Sequence, residues 1–203
     1  TGNCVDFGHT IGIRRHAGVG SDKTTAVFLG GYDPSAYTND IETVIFSSKG
    51  NAAVWGDLTT ARNHAGDMGN STRCLSHDGI APGNVTVDYI TWATKGNAVD
   101  FGDTSVNKGQ CGSGADATRG YLYGGATGPS ELASIDYFTI SSTGNASDFG
   151  DIGSGAQSNA QGGSSTTRGV HGGGYNGSDQ KEHTISYITI QSTGDSTDFG
   201  DLT

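Results

Sequence analysis

The residues able to do chemistry in this chain recur rather than stand alone. Carboxylate pairs flank an aromatic in Asp100-Phe101-Gly102-Asp103, Asp148-Phe149-Gly150-Asp151 and Asp198-Phe199-Gly200-Asp201, and Asp6-Phe7-Gly8 carries the first half of the same phrase. With nearby Asn side chains and backbone carbonyls, such carboxylates could surround a calcium ion, which takes roughly six to eight oxygens. Hydrolysis by a carboxylate pair instead needs a unique pair, one member of which its surroundings keep protonated. Near-identical pairs in successive segments offer no unique member. They read as architecture, with one Asp capping a turn and the other paired with the repeated Arg73, Arg119 and Arg168. Val54 before Trp55 leaves the second copy without its first carboxylate.

A second constellation lies upstream of each of these arginines. Nine residues before Thr25, Arg73, Arg119 and Arg168 stand His16, His64, Gln110 and Asn159, and two residues earlier stand Arg14, Arg62, Lys108 and Gln157. If these segments are the innermost strands of a ring, the residues form two stacked polar rings around a channel. The candidate ligand-binding set is therefore Arg14, His16, Arg62, His64, Lys108, Gln110 and Asn159. Two histidines across such a channel could hold a metal or an anion, but hydrogen-bonded liners of a wet tunnel are the favoured reading. With Tyr32 and Tyr175 nearby, the cationic ring could also form a sugar or anion pocket. Two familiar phrases fail on context. Asp-Phe-Gly needs a kinase's Gly-rich strand, strand Lys and catalytic-loop Asp and Asn. Gly18–Thr24 has Asp22 where a phosphate loop requires Gly before Lys23, and that carboxylate repels phosphate. No catalytic residue, metal site or cofactor is assigned.

Composition narrows the partners. The chain has 203 residues, 35 of them Gly, and a net charge of −10 with only 11 Lys and Arg. Nucleic acid is normally met by a basic footprint, so it is not expected as a partner. No apolar run approaches the ~18 residues of a membrane helix, and no basic amphipathic stretch points to a membrane surface. Cys4, Cys74 and Cys111 lack CxxC spacing and are expected to be small buried thiols.

The elements that position these residues follow from an internal repeat. A phrase of the form [T/K]-G-[N/D]-x-x-x-[F/W]-G begins at Thr1, Lys49, Lys95, Thr143 and Thr193, with aromatics Phe7, Trp55, Phe101, Phe149 and Phe199 spaced 48, 46, 48 and 50 residues apart. Between copies lie an apolar run ending in glycines (24–32, 71–79, 117–125, 166–174) and a β-branched run (41–48, 87–94, 135–142, 185–192). Val, Ile, Thr, Tyr and Phe bounded by Gly, Asn, Asp and Ser read as strands, and no 3.6-residue period is sustained. Each unit predicts four short strands: a (near 13–19, 61–67, 108–114, 157–162), b (the Gly-Gly run), c (the Tyr-Ile-Thr run) and d (the Phe-Gly-Asp run). A four-stranded sheet cannot cover both its faces alone, so stacking sheets and bending the stack into a ring predicts an all-β propeller of four antiparallel blades. The units are 1–48, 49–94, 95–142 and 143–192, with a closing strand at 193–203, in a single domain. Aromatics at one position of each unit read as packing between blades.

Val27-Phe28-Leu29-Gly30-Gly31, Tyr121-Leu122-Tyr123-Gly124-Gly125 and Val170-His171-Gly172-Gly173, each with a distal Phe or Trp, resemble the kelch family of propellers. The second unit departs from the pattern with His77-Asp78-Gly79. More specifically, Thr193–Thr203, Thr167–Tyr175 and Ile135–Ile140 resemble repeats in structural proteins of marine tailed phages, notably cyanophages, and the resemblance covers nearly the whole chain. That resemblance implies a non-enzymatic virion component (fibre, tail or capsid surface), extracellular in the particle. Its partners would be other virion proteins or further copies of itself, and a host surface glycan is a further candidate; a carbohydrate-binding propeller lectin is the alternative. Strand d occurs five times against four for the others. The surplus copy pairs with a neighbouring chain, belongs to a longer array, or overlaps as a clasp; a compact four-blade ring is the favoured reading.

Overall fold

The computed structural model describes residues 3–77, 79, 84–176, 178 and 180–203, and no helix occurs among them. The chain is all-β, with four antiparallel sheets of four strands in chain order. The first sheet holds β1 (Gly18–Ser21), β2 (Thr25–Tyr32), β3 (Tyr37–Ile45) and β4 (Ala53–Asp57). The second holds β5 (Asp67–Gly69), β6 (Arg73–His77), β7 (Thr86–Thr91) and β8 (Val99–Asp103). In the third, β9 (Gly112–Ala115) and β10 (Arg119–Tyr123) are separated by the small hairpin of β11 (Ala126–Thr127) and β12 (Ser130–Glu131) from β13 (Ser134–Thr139) and β14 (Ser147–Asp151). After β15 (Gln157–Ser158) the fourth sheet holds β16 (Gln161–Ser164), β17 (Arg168–Gly172), β19 (Thr184–Thr189) and β20 (Thr197–Asp201); β18 (Tyr175–Asn176) pairs with β15.

Local side-chain chemistry sets the turns. Asp22 Oδ1 accepts the amides of Thr24 and Thr25 at 2.7 and 2.8 Å, closing the hairpin between β1 and β2. Asn70, Asp116 and Ser165 accept the equivalent pairs of amides in the other sheets. These short polar side chains replace a backbone acceptor at a tight turn.

The last two strands of every sheet carry the same bulge. Ile41 faces Gly56 and Glu42 faces Val54, so Trp55 is the extra residue. Phe101, Phe149 and Phe199 are the extra residues at Val87/Asp88, Ile135/Asp136 and Ile185/Ser186. A bulge adds twist and re-aims a side chain. Here it accompanies an aromatic that is 6%, 2% and 3% exposed at Trp55, Phe101 and Phe149.

Each of the first three sheets is covered by its successor. Val27, Leu29, Ile41 and Trp55 pack on Cys74 and Ile90 of the second sheet and on Ala98 just before its last strand. Leu75, Val87 and Phe101 pack in turn on Leu122, Phe138 and Ile140, and Tyr121, Ile135 and Phe149 on Ile188 and Ile190. Every sheet thus has a leading face, which enters the next sheet, and a receiving face. Each buried Phe contributes about 2–3 kcal/mol by this packing, which explains how a chain with few aliphatics builds a core. The first strands β1, β5, β9 and β16 lie side by side in that order. Among the described residues no closed ring of sheets is found.

Three expectations are corrected. The first strands begin at Gly18, Asp67, Gly112 and Gln161, later than expected by about four to six residues, because a left-handed residue precedes each. The first copy of the aromatic phrase forms no strand: residues 3–10 lie against the first sheet, Phe7 and His9 carbonyls accepting the Gly50 and Ala52 amides at 2.9 and 2.8 Å. Cys4 is exposed on this segment, whereas Cys74 and Cys111 are buried. Asp78, which breaks the glycine pair of the second unit, lies outside the described residues.

Candidate functional site

His16, His64, Gln110 and Asn159 have φ of 55°, 53°, 57° and 56°, the left-handed region that side-chain-bearing residues rarely enter. A cross-unit ladder holds them there. The His64 amide donates to His16 O at 3.0 Å, Gln110 N to His64 O at 3.3 Å and Asn159 N to Gln110 O at 2.8 Å. The four residues therefore form a row across the stack, and all four line a groove of ≈ 360 Å³ shared with Asp67, Ser113 and Gln161. The His16 and His64 rings lie 3.7 Å apart, tilted by 33°. Partial burial, and then the charges of His16 and Arg15, push the His64 imidazole below its ordinary range.

Of the seven candidate ligand residues, these four share the groove, and Arg14, Arg62 and Lys108 do not. Arg14 pairs with Glu42, Arg62 with Asp88 at 2.7 Å and Lys108 with Asp136 at 3.1 Å, all with side chains at most 6% exposed. The left-handed residue two positions later breaks the strand alternation that would aim these cations inward. They meet instead an acid at the bulge of the same sheet, and Asp88 also accepts the Thr59 amide at 2.8 Å. In the fourth sheet both partners are neutral: Gln157 donates to Ser154 at 3.0 Å, and Ser186 bonds the Tyr123 hydroxyl.

The other recurring motifs are structural. The first carboxylate of each Asp-Phe-Gly accepts the amide of its own glycine, at 3.1 Å for Asp100 and 2.9 Å for Asp198. The arginines expected to pair with the second carboxylate lie over aromatic rings, Arg73 on Tyr89, Arg119 on Tyr137 and Arg168 on Tyr187, at 4.5–4.6 Å. Cation–π stacking of this kind keeps the guanidinium partly hydrated while covering the ring. Among the described residues no group of three His, Cys, Asp or Glu is placed to hold a metal. Tyr32 is outside the groove, under Arg15 at 4.8 Å, and Tyr175 is 37% exposed.

Sequence reasoning missed a polar set at the groove, with His77 and His171 buried behind it and Asp67 half-buried in its wall. His77 Nδ1 accepts the Gly66 amide at 2.6 Å, and burial drives this imidazole down to about 4. His171 stacks on Tyr123 at 4.5 Å, has Nε2 3.0 Å from the Tyr121 hydroxyl, and is likewise driven down by burial to about 4. Burial pushes the Asp67 carboxyl up to about 7 against the opposing Ser76 hydroxyl and Arg62 charge. The signal was available: histidines at the end of otherwise apolar runs. No protein-family model matches the chain, and no curated protein matches it either.

Proposed function

We propose that this chain is a non-enzymatic structural protein of a tailed-phage virion, a fibre, tail or capsid-surface component working outside the host cell. In this reading its four sheets are blades of a β-propeller scaffold, closed within one chain or between copies, and its rims contact other virion proteins, further copies of the chain or a host surface glycan. It requires no cofactor, nucleic acid or membrane. The observation that carries the reading is the repetition of the buried pairs Arg14–Glu42, Arg62–Asp88 and Lys108–Asp136. Ion pairs that recur in three sheets and give way to the neutral Gln157 and Ser186 in the fourth serve the sheets as architecture, whereas an active site needs ionisable groups gathered at one reacting centre. A rigid repeat is suited to multivalent contact, in which weak sites gain avidity from copy number. The resemblance to phage repeats supplies the particle.

The second reading, a carbohydrate-binding propeller lectin, is favoured by the groove row of His16, His64, Gln110 and Asn159, whose polar side chains could fix sugar hydroxyls. One experiment separates the two. Retention of the protein on purified particles, with no signal on a glycan array, is expected for the architectural role. Array binding by the free protein, lost in Gln110→Ala, supports the lectin. Absence from particles together with silence on the array would overturn both.

A further inference from the structure

The three junctions inside the stack share one set of backbone contacts. Phe101 O accepts the Gly144 amide at 2.7 Å and Asp103 O the Ala146 amide at 2.7 Å, while the Asp103 amide returns to Asn145 Oδ1 at 3.1 Å. The next junction repeats this with Phe149 and Gly194 at 2.7 Å, Asp151 and Ser196 at 2.8 Å, and Asp195 Oδ1 at 2.9 Å. At the first junction Asp57 and Ala98 pair at 2.8 Å, and Asn97 Oδ1 takes the Asp57 amide at 3.1 Å. The approach is close enough that a Cβ on Gly56, Gly102 or Gly150 would meet the following glycine's backbone within 2.5 Å.

The fourth sheet carries the leading half of this junction, and none of the described residues covers it. Phe199 is 60% exposed and Leu202 51%, against 3% for the equivalent Phe149 and Ile152. Among the described residues no atom lies within 4 Å of a Cβ built on Gly200. The opposite end of the stack carries the receiving half. Phe46 is 50% exposed, where its equivalents Ile140 and Ile190 are fully buried. A groove of ≈ 300 Å³ on that face has one wall of Phe28, Val44, Phe46 and Ala52 and the other of residues 7–10.

Residues 3–10 show what this face takes. The segment is a copy of the same phrase, and it reproduces the junction contact for contact. Gly50 donates to Phe7 O at 2.9 Å, Ala52 to His9 O at 2.8 Å, and His9 donates to Asn51 Oδ1 at 3.0 Å. Yet it brings one aromatic, itself 37% exposed, where a whole sheet brings four strands.

We propose that the leading face of the fourth sheet docks on the receiving face of the first sheet in a second copy of this chain, head to tail, displacing residues 3–10. The interface continues one the chain already makes three times, and both halves lie on the same molecule at opposite ends. Because the two faces differ, the contact is heterologous, closing into a ring or running on as a filament. Two copies closing on each other would give a ring of eight sheets, within the range propellers adopt. The displaceable segment makes assembly a competition between a tethered strand and a partner's sheet. The inference rests on the sheet faces alone and stands or falls independently of the virion reading.

The test is the solution mass of the full chain across a concentration series, by light scattering. Mass rising with concentration is expected, with association weakened at least about tenfold in Phe199→Arg and strengthened at least about tenfold in Phe7→Ser. Circular dichroism of both variants should match the parent, since each residue is substantially exposed. A single-chain mass for the parent and for Phe7→Ser at every concentration overturns the proposal. In a Cys4→Ser background, Asn51→Cys with Asp201→Cys and a short bis-maleimide should join two chains. A link confined within one chain means that the fourth sheet closes on its own first sheet, and that also overturns it.

Discussion

Arg62 Nη2 lies 2.7 Å from Asp88 Oδ2, and neither side chain reaches solvent. Removing one partner of a buried pair strands the other charge, which costs about 3–5 kcal/mol. The fourth sheet manages the same position with Gln157 and Ser186, both neutral. Asp88→Ser alone should therefore lower the unfolding free energy by about 3–5 kcal/mol. Adding Arg62→Gln should restore most of it. Urea titration of the two single variants and the double variant tests this, and a double variant as weak as Asp88→Ser would rule out charge burial as the cause.

Phe101 meets Phe138 of the next sheet edge to face at a centroid distance of 6.0 Å. Phe199 occupies the same bulge position and is 60% exposed, with no sheet of the described residues against it. Phe101→Ala should cost about 3–5 kcal/mol as a buried large-to-small change. In dilute protein Phe199→Ala should stay within about 0.5 kcal/mol of the parent, as an exposed substitution does. Equal shifts in the denaturation midpoint would contradict the open end of the stack.

The repeat, the strand content and the packing role of Trp55, Phe101 and Phe149 were legible in the sequence because a residue that touches a neighbouring copy must recur with it. The direction of Arg14, Arg62 and Lys108 was not. Counting along a strand assumes alternation, and His16, His64 and Gln110 interrupt it with φ above 50°. Their partners did leave a trace: single acids, Glu42, Asp88 and Asp136, inside β-branched runs, 26 to 28 residues after each cation. Where the fourth unit loses the cation at Gln157, it loses the acid at Ser186 as well. The surplus copy at residues 3–10 could be counted but not placed, since its contacts with Gly50 and Ala52 are made by backbone.

Gly102 has φ of 145°, and a Cβ there would lie 2.3 Å from Gly144 O. Gly163, on the exposed β16, has nothing within 4 Å and no positive φ. Gly102→Ala should destabilise by more than about 1 kcal/mol, while Gly163→Ala should be neutral or stabilising by up to about 1 kcal/mol. Thermal melts of the pair check the sheet-to-sheet approach directly.

The buried imidazoles and Asp67 pull stability in opposite directions with pH. His77 and His171, held down at about 4 against an ordinary 6.5, refuse protons that the unfolded chain takes up, so their contribution is lost as pH falls from 6.5 towards 4. Asp67, raised to about 7 from 3.8, keeps a proton that the unfolded chain has released, so its contribution is full below 3.8 and lost as pH rises through 7. Asp67→Asn should thus raise stability above pH 7 and steepen the loss on acidification between 6.5 and 4. A variant whose stability profile parallels the parent's across that range would place the carboxyl in water.

His64 sits at φ 53° because its amide reaches His16 O and its carbonyl takes the Gln110 amide. Glycine adopts that conformation without the Cβ clash, which costs other residues roughly 1–2 kcal/mol. His64→Gly should therefore leave stability unchanged or raise it, although it deletes a ring in contact with His16 and widens the groove. His64→Val should lower stability by at least about 1 kcal/mol, since a β-branched side chain is the least tolerant of this region. Denaturant titration of the two variants gives the ordering, with valine below the parent and glycine at or above it. The reverse order would mean that ring contacts, rather than the backbone ladder, hold the row in place.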